Sequence, residues 1–343
     1  MGRTDGKGIL RMASIFLFAT YFVAAAVLSQ FSAVHKREAK REQMEMLQMF
    51  AFYKDETEKF TFRQQLRMEL PDGMGKEDVV IEDDYVEQVA RIRLPGVGKD
   101  YFESHPLLGR SYNIDQIYME NGMIEIALDG VYEVESSVKD GYLCLDFLMP
   151  RQLYDKVVIV DAGHGGSAIG NLKQGIAEKD INLAIALQLK ELLQGNDKRI
   201  GVYFTRTTDE DPSFSRRAQL GEKAGADYFI SIHCNSSSDG QMSEESGTEV
   251  MYDETKGQDE NPGRRLAQIC LEEVAGAFGS KPKGVFPGSG SYVIRENQVT
   301  AVSIELGYMT NQKELGKLKD PKYQKLAAEG IYRAILRAIE EGL

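Results

Sequence analysis

The sequence predicts an α/β domain with a mostly parallel sheet flanked by helices. Before it the sequence places a small all-β domain and an N-terminal transmembrane helix. Three observations carry this. Residues 12–34 hold no charge, apolar and polar residues alternate at period two between 61 and 148, and from Lys156 onward continuous apolar runs alternate with stretches of helical period.

An uncharged run of that length can span a bilayer. Arg3, Lys7 and Arg11 precede it, and Lys36, Arg37, Lys40 and Arg41 follow it. Basic residues on both sides weaken the positive-inside signal. A small-residue cleavage site is spoiled by Phe31, three positions before a cut after Ala33. The expectation is an uncleaved signal anchor over 12–34, with residues 1–11 as a cytoplasmic basic tail and the rest outside the membrane. A removed signal peptide, giving a secreted protein, is the alternative. Residues 35–60 are charged and rich in Met and Gln, with Met44, Leu47 and Ala51 at helical spacing, and read as a juxtamembrane helical stalk.

Between 61 and 150 short alternating runs recur at Asp78–Ile81, Val89–Leu94, Met123–Leu128 and Tyr142–Phe147. Pro71-Asp72-Gly73, Asn121-Gly122, Asp129-Gly130 and Asp140-Gly141 punctuate them, which is the signature of antiparallel strands joined by tight turns. His105, beside Pro106, reads as a loop residue.

In residues 151–343 the run Val157–Val160 ends at Asp161, as a strand buried on both faces would. Ile181, Ala184, Ile185, Leu189, Leu192 and Leu193 then make one face of a helix. Strands are expected at Ile200–Thr205, Tyr228–Ile232, Gly247–Tyr252 and Ala301–Leu306, and helices at Ser213–Ala224 and Pro321–Glu340. Asn261-Pro262 opens another helix, with Asn as cap and Pro in the first turn. Cys270 falls on its apolar face. Strands alternating with helices imply the α/β layer arrangement.

There are 53 acidic and 41 basic side chains, for a net charge of −12, which argues against a nucleic-acid partner. Cys144, Cys234 and Cys270 have no paired spacing and give no disulfide framework.

Two histidines sit at strand ends. His164 lies in Asp161-Ala-Gly-His-Gly-Gly, and His233 in Ser231-Ile-His-Cys-Asn. In open α/β sheets ligand sites gather at the carboxyl ends of strands. Glycines at 163, 165 and 166 would let a substrate backbone approach. Glu178 opens the first helix and Glu305 ends the last strand, so both can face the same rim. Singly, each histidine is as consistent with a structural role, Glu178 with a helix-terminal acid and Glu305 with a salt bridge. Together, two His and a carboxylate make a catalytic zinc set with an open position. A further carboxylate can then accept the proton of an attacking water.

Six blocks in order resemble the zinc-dependent N-acetylmuramoyl-L-alanine amidases of the amidase-3 type. They are Asp161 to Gly166, Glu178-Lys-Asp180-Ile-Asn182, Arg206-Thr-Thr-Asp209, Ala224-Gly-Ala-Asp227, His233-Cys-Asn235 and Glu305-Leu-Gly307-Tyr-Met-Thr-Asn311. The resemblance runs from about Lys156 to the C-terminus. It implies hydrolysis of the peptidoglycan amide between N-acetylmuramic acid and L-alanine, with zinc on His164, Glu178 and His233 and Glu305 as catalytic carboxylate. Arg217 and Arg295 match family arginines, either as ion-pair partners or as substrate contacts, and Asn235 is a further candidate contact. Glu222 and Thr300 depart from the family pattern but hold no metal position. Cys234, one residue from His233, should point to the opposite side of its strand. In pattern and position residues 61–150 resemble the β-sandwich targeting modules called AMIN.

A zinc peptidase acting on stem peptides and an inactive wall-binding scaffold are the rival readings. The first has other motifs, and the second would have lost a ligand or Glu305. Bulk attraction to an anionic wall is not expected from this net charge. The segments between His164 and Glu178 and between His233 and Gly247 are too short and polar to supply a plugging helix, so no protein activator is expected. The anchor predicts that protein isolated from membranes still begins near Met1, by N-terminal sequencing; protein in the medium beginning near His35 would refute it.

Overall fold

The structure, a computed structural model, describes residues 65–111, 113–120, 122–194, 199–257 and 261–343. The expected anchor at 12–34 and stalk at 35–60 lie outside them. Among the described residues no helix is long and apolar enough to cross a membrane. Residues 65–107 and 111–343 form one compact unit. Of the other, the described part is Leu108–Arg110, which holds the two-residue strand Leu108–Gly109.

The N-terminal part of the compact unit is mainly antiparallel strands. β2 (Val80–Asp84), β3 (Val89–Arg93), β5 (Met123–Leu128) and β4 (Ile114–Glu120) lie side by side in that order. β1 (Leu66–Glu69), β7 (Tyr142–Leu148) and β6 (Glu133–Lys139) form a second antiparallel run. Alternation decides which side chains turn inward: Met68, Ile92, Ile124, Ile126, Leu143 and Leu145 are fully buried. Asp140 and Gly141 both have positive φ, as a two-residue hairpin between β6 and β7 requires. The sequence misses β6 because it is polar at most positions, Glu-Val-Glu-Ser-Ser-Val-Lys. It also misses a short helix at Lys99–Ser104, so this part is not purely β.

In the C-terminal part six strands take the order β9-β8-β10-β13-β11-β12. These are β8 (Lys156–Ala162), β9 (Ile200–Phe204), β10 (Tyr228–Asn235), β11 (Thr248–Tyr252), β12 (Pro282–Pro287) and β13 (Thr300–Tyr308). The first four in that order are parallel, whereas β11 runs antiparallel to β13 and β12 follows β11. The sheet is therefore mostly parallel, as expected, with the pairing of β13 and β11 as its antiparallel step. β12 escapes the sequence because it is an edge strand, Pro-Lys-Gly-Val-Phe-Pro, with no face to bury continuously.

Each face of this sheet has its own cover. On one side lie α1 (Glu178–Gln194), α3 (Pro262–Phe278) and α4 (Pro321–Glu340). Their Ile185, Leu189, Leu266, Val274, Ile331 and Ile335 pack on Val158, Val160, Ile230 and Ile304. The other side carries Val157, Ile159, Tyr203, Phe229 and Ala301. It is covered by Leu220 and Ala224 of α2 (Phe214–Lys223) and its C-cap, and by Val293 and Ile294 of a short helix at Tyr292–Arg295. Val131 completes that cluster from the N-terminal part, with Tyr85 packed against it.

Hydrogen bonds tie the same seam. Phe204 N donates to Tyr85 Oη at 3.1 Å, Tyr203 Oη to Glu133 Oε1 at 2.5 Å, and Val131 N to Lys223 O at 3.1 Å. The part before 150 thus adds Val131 and Tyr85, from turns between its strands, to the core of the sheet after it. Val131→Asp puts an unpaired charge in this core and is expected to cost about 3 kcal/mol or more. Ser137→Asp, on an exposed position, should stay within about 0.5 kcal/mol. Urea denaturation of both variants checks this.

Candidate metal centre and its cleft

The centre begins with a buried ion pair. Asp161, near the end of β8, is 1 % exposed and meets Arg217 Nη1 at 2.7 Å, with Thr205 Oγ1 and Ser231 Oγ each donating to it at 2.6 Å. Burial alone would raise this carboxyl; Arg217, Ser231 and Thr205 outweigh that and hold it below the usual carboxylate range. Arg217 spends its remaining donors on the carbonyls of Ala162, His164 and Pro212. Arg206 adds bonds to Ala162 O at 2.8 Å and Gly163 O at 3.0 Å, and Asn182 Nδ2 reaches Gly163 O at 3.1 Å. The loop after β8 is thereby clamped by side chains along its backbone.

That clamp holds His164 at φ +63, a left-handed conformation that costs a non-glycine residue roughly 1–2 kcal/mol. The glycines around it have a different role from the one the sequence suggests. A Cβ at Gly163 would lie 2.3 Å from the His233 ring, and one at Gly165 1.8 Å from Glu210 O. They make room for the second histidine and for the 209–211 loop, not for a substrate backbone. Asp209 latches that loop, accepting from Gly166 N at 2.8 Å and pairing with Lys179 at 2.6 Å.

Glu178 is the first residue of α1, delivered by a small hairpin at Leu172–Lys173 and Ile176–Ala177. Its Oε1 lies 3.2 Å from His164 Nε2 and 3.0 Å from His233 Nδ1, and accepts from Cys234 N at 3.0 Å. Asn171 donates to Oε2 from its backbone at 2.9 Å and its side chain at 2.8 Å. The two imidazoles meet edge to face, centroids 4.8 Å apart. One ligand atom from each of His164, Glu178 and His233 lies within 4.8 Å of the others.

β10, β13 and β11 bring the next group. Register places His233 opposite Glu305 and Glu305 opposite Glu249, so the three share one face in a row across the sheet. Two carboxylates side by side would repel, but Glu249 is neutralised. Lys283 Nζ lies 2.6 Å from it, Tyr308 Oη donates at 2.7 Å, and Asn235 Nδ2 at 3.2 Å. Burial lifts the Glu305 carboxyl to about 7, opposed by His233 and helped by Glu178 and Glu249. Burial would lower His233, yet Glu178 and Glu305 carry it to about 9, while the hydrogen bonds of both histidines override burial to keep Glu178 well below the usual range. The site favours positive charge.

These groups line an open cleft of about 390 Å³, joined by Gly170, Asn171, Cys234, Asn235, Ser236 and Met251. The structure therefore brings His164, Glu178, His233, Glu305 and Asn235 together. It does not bring Arg217 to the cleft surface: that residue is 2 % exposed and its donors are spent on the clamp. Arg295 lies to one side, bonded to Glu296 and Ser289 O. Cys234 turns its thiol to Asn182 on the far face, 3.7 Å away. His105 stacks on Tyr101, centroids 4.0 Å apart. Asn171 and Glu249 went unseen in the sequence. Asn171 sits in a loop without periodicity, but Glu249 follows Gly247 on an alternating strand and shares its parity with the cleft face.

A family model described as N-acetylmuramoyl-L-alanine amidase matches residues 158–337, over half of the chain. The chain belongs to this amidase family. The match does not reach the strands at 66–148. The amidase is 34% identical over 180 residues to the uncharacterised protein YqiI of Bacillus subtilis, covering 52% of this chain and 83% of that one. It is 30% identical over 177 residues to the amidase LytC of the same organism, of which it covers 34%. A solved N-acetylmuramoyl-L-alanine amidase from Clostridium difficile superimposes with a TM-score of 0.51 at 31% identity, covering 55% of this chain and 98% of that one.

The clamp makes a pH prediction. The folded carboxyl of Asp161 lies below its unfolded value of about 3.9. Its contribution to stability is therefore complete above that pH and is lost as pH falls through the lower folded value. Asp161→Asn leaves Arg217 buried without a counter-charge, an expected loss of about 3–5 kcal/mol at pH 7. Urea denaturation from pH 3 to 7 should show the wild type and this variant converging at the acid end.

Proposed function

We propose that this amidase hydrolyses the amide between N-acetylmuramic acid and L-alanine with a zinc ion held by His164, Glu178 and His233 and with Glu305 as proton carrier. The family's substrate is peptidoglycan, and the carrying observation is the convergence of three donor atoms beside Glu305. Imidazole nitrogen and carboxylate oxygen are zinc's ordinary donors, and three protein ligands leave a position for water or substrate. Pressure from Glu178 and Glu305 toward positive charge supports the fit. When bound, zinc polarises the scissile carbonyl and acidifies water toward a pKa of about 7.

The chain's own groups do the rest. Asn171 and Cys234 N orient Glu178. Glu305, with its carboxyl near neutrality, accepts the proton of the attacking water and returns it to the leaving alanine nitrogen. Glu249, already paired with Lys283, holds Asn235 at the cleft wall.

In this reading the 12–34 segment anchors the chain with the catalytic part outside the membrane, and the strands at 66–148 target the enzyme to the wall. Residues 236–247 are turns and bends, and among the described residues no helix fills the cleft.

The test uses the full chain. Chelation should abolish release of alanine-headed peptide from muropeptide, and zinc should restore it. Glu305→Gln should lower kcat by roughly 10²–10⁴-fold while retaining metal by elemental analysis, whereas His164→Ala should lose the metal as well. Full activity of metal-free protein would overturn the zinc assignment, and full activity of Glu305→Gln the role of that residue.

A further inference from the structure

The face that carries His233, Glu305 and Glu249 continues past the cleft. Met251, two residues after Glu249 and on the same side of β11, lines it. Gly288 packs closely there: a Cβ built on it would lie 2.8 Å from Met251 Cβ. Four residues later Tyr292 opens its short helix, and its ring lies 6.1 Å from that of Phe214, inclined by 30°. Phe214 begins α2, in which Arg217 reaches the His164 carbonyl at 2.8 Å. The path of contacts thus leaves the cleft at Met251 and returns at the metal loop, with two aromatic rings at its outer edge.

Those rings face water. Phe214 is 66 % exposed, more than any other large apolar side chain among the described residues, and Tyr292 is 39 % exposed. The Arg295 guanidinium stands 5.8 Å from the Tyr292 ring centroid and is itself about half exposed. Single exposed apolar residues are ordinary, but here two exposed aromatic rings lie together with a guanidinium at their margin.

We propose that Phe214 and Tyr292 form a platform for the sugar rings of the glycan strand, on the muramoyl side of the scissile amide. This rests on the amidase reading and adds where the carbohydrate lies. A pyranose has a flat C–H face and a rim of hydroxyls. The face suits an exposed aromatic ring, and the rim suits Arg295 and the tyrosine hydroxyl. The chain has no Trp, so stacking falls to Phe and Tyr. Ile169 and Leu172 are also exposed, near the Glu178 hairpin, but they are aliphatic and offer no flat surface. Across the cleft Asn171, Asn235 and Ser236 present amides and a hydroxyl, which suit the peptide. Phe214 and Arg217 are separated by roughly 5 Å of helical rise. The same helix thus carries the platform at its start and the clamp of the His164 loop one turn later.

The test compares wild type with Phe214→Ala, Tyr292→Ala and Phe214→Trp in the zinc-loaded full chain. One substrate is polymeric peptidoglycan glycan; the other carries the same lactoyl–alanine amide without sugar. Each alanine variant should raise KM for the glycan by about five- to tenfold, the scale of one aromatic contact. It should leave kcat and the sugar-free substrate unchanged, and Phe214→Trp should retain wild-type KM. Equal changes on both substrates, or none, would overturn the platform.

Titration of peptide-free glycan strands, followed by NMR, decides the point without catalysis. Wild type and Phe214→Trp should bind, and Phe214→Ala should bind at least about fivefold more weakly. Wild type that fails to bind, or an alanine variant that is folded by its NMR spectrum and binds as wild type does, would refute the proposal. Absence of amide cleavage by wild type would refute the amidase reading instead, and leave the titration to judge the platform.

Discussion

The buried pair of Asp161 and Arg217 is the contact on which the rest of the centre depends. Paired buried charges contribute little net stability against an apolar alternative, and removing one partner is severe. Here the pair has a geometric role. Asp161 fixes Arg217 from within β8, and Arg217 in turn binds three carbonyls of surrounding loops. The His164 conformation is unfavourable by itself and persists because these bonds determine it from outside. Thr205 and Ser231 supply the remaining acceptor demand of the carboxylate from the strands on either side. Three adjacent strands are thereby drawn into one polar knot under the His164 loop.

The six family blocks are partly ligands and partly this scaffolding. Asp209 and Lys179 latch the loop, and Asp227 accepts from Val157 N at 2.8 Å at the start of β8. At the other end Glu314 accepts from Gly247 N and Tyr308 N, and Asn311 caps the helix at Gln312–Leu318. Thr310 Oγ1 accepts from Ser237 N. The chain after His233 is therefore held open and low beside the cleft by the segment that follows Glu305.

The sequence made much of this legible because the strongest signals were local. Val157–Val160, ending at Asp161, reads as a doubly buried strand, and the helix faces at Ile181–Leu193 and Leu266–Phe278 follow from their period. His164 and His233 could be placed at one rim because both follow such strands. Long-range contacts leave no periodic trace, so the sequence hides the purpose of Gly163 and Gly165: each yields to a residue distant in the chain. For Arg217 the sequence leaves an ion pair and a substrate contact both open, and only tertiary packing decides for the buried pair with Asp161. The reversed strands β11 and β12 were equally hidden, since a strand's direction is not written in its composition.

The left-handed histidine has one more consequence. Many small metal sites are assembled by the ion itself, so that binding must supply the entropy of ordering the chain. In this amidase the ligand loop is shaped by arginine–carbonyl bonds that contain no metal. The order of this loop is then supplied by folding. A metal held at the proposed site would find its first histidine already in place, and its loss would leave the clamp intact.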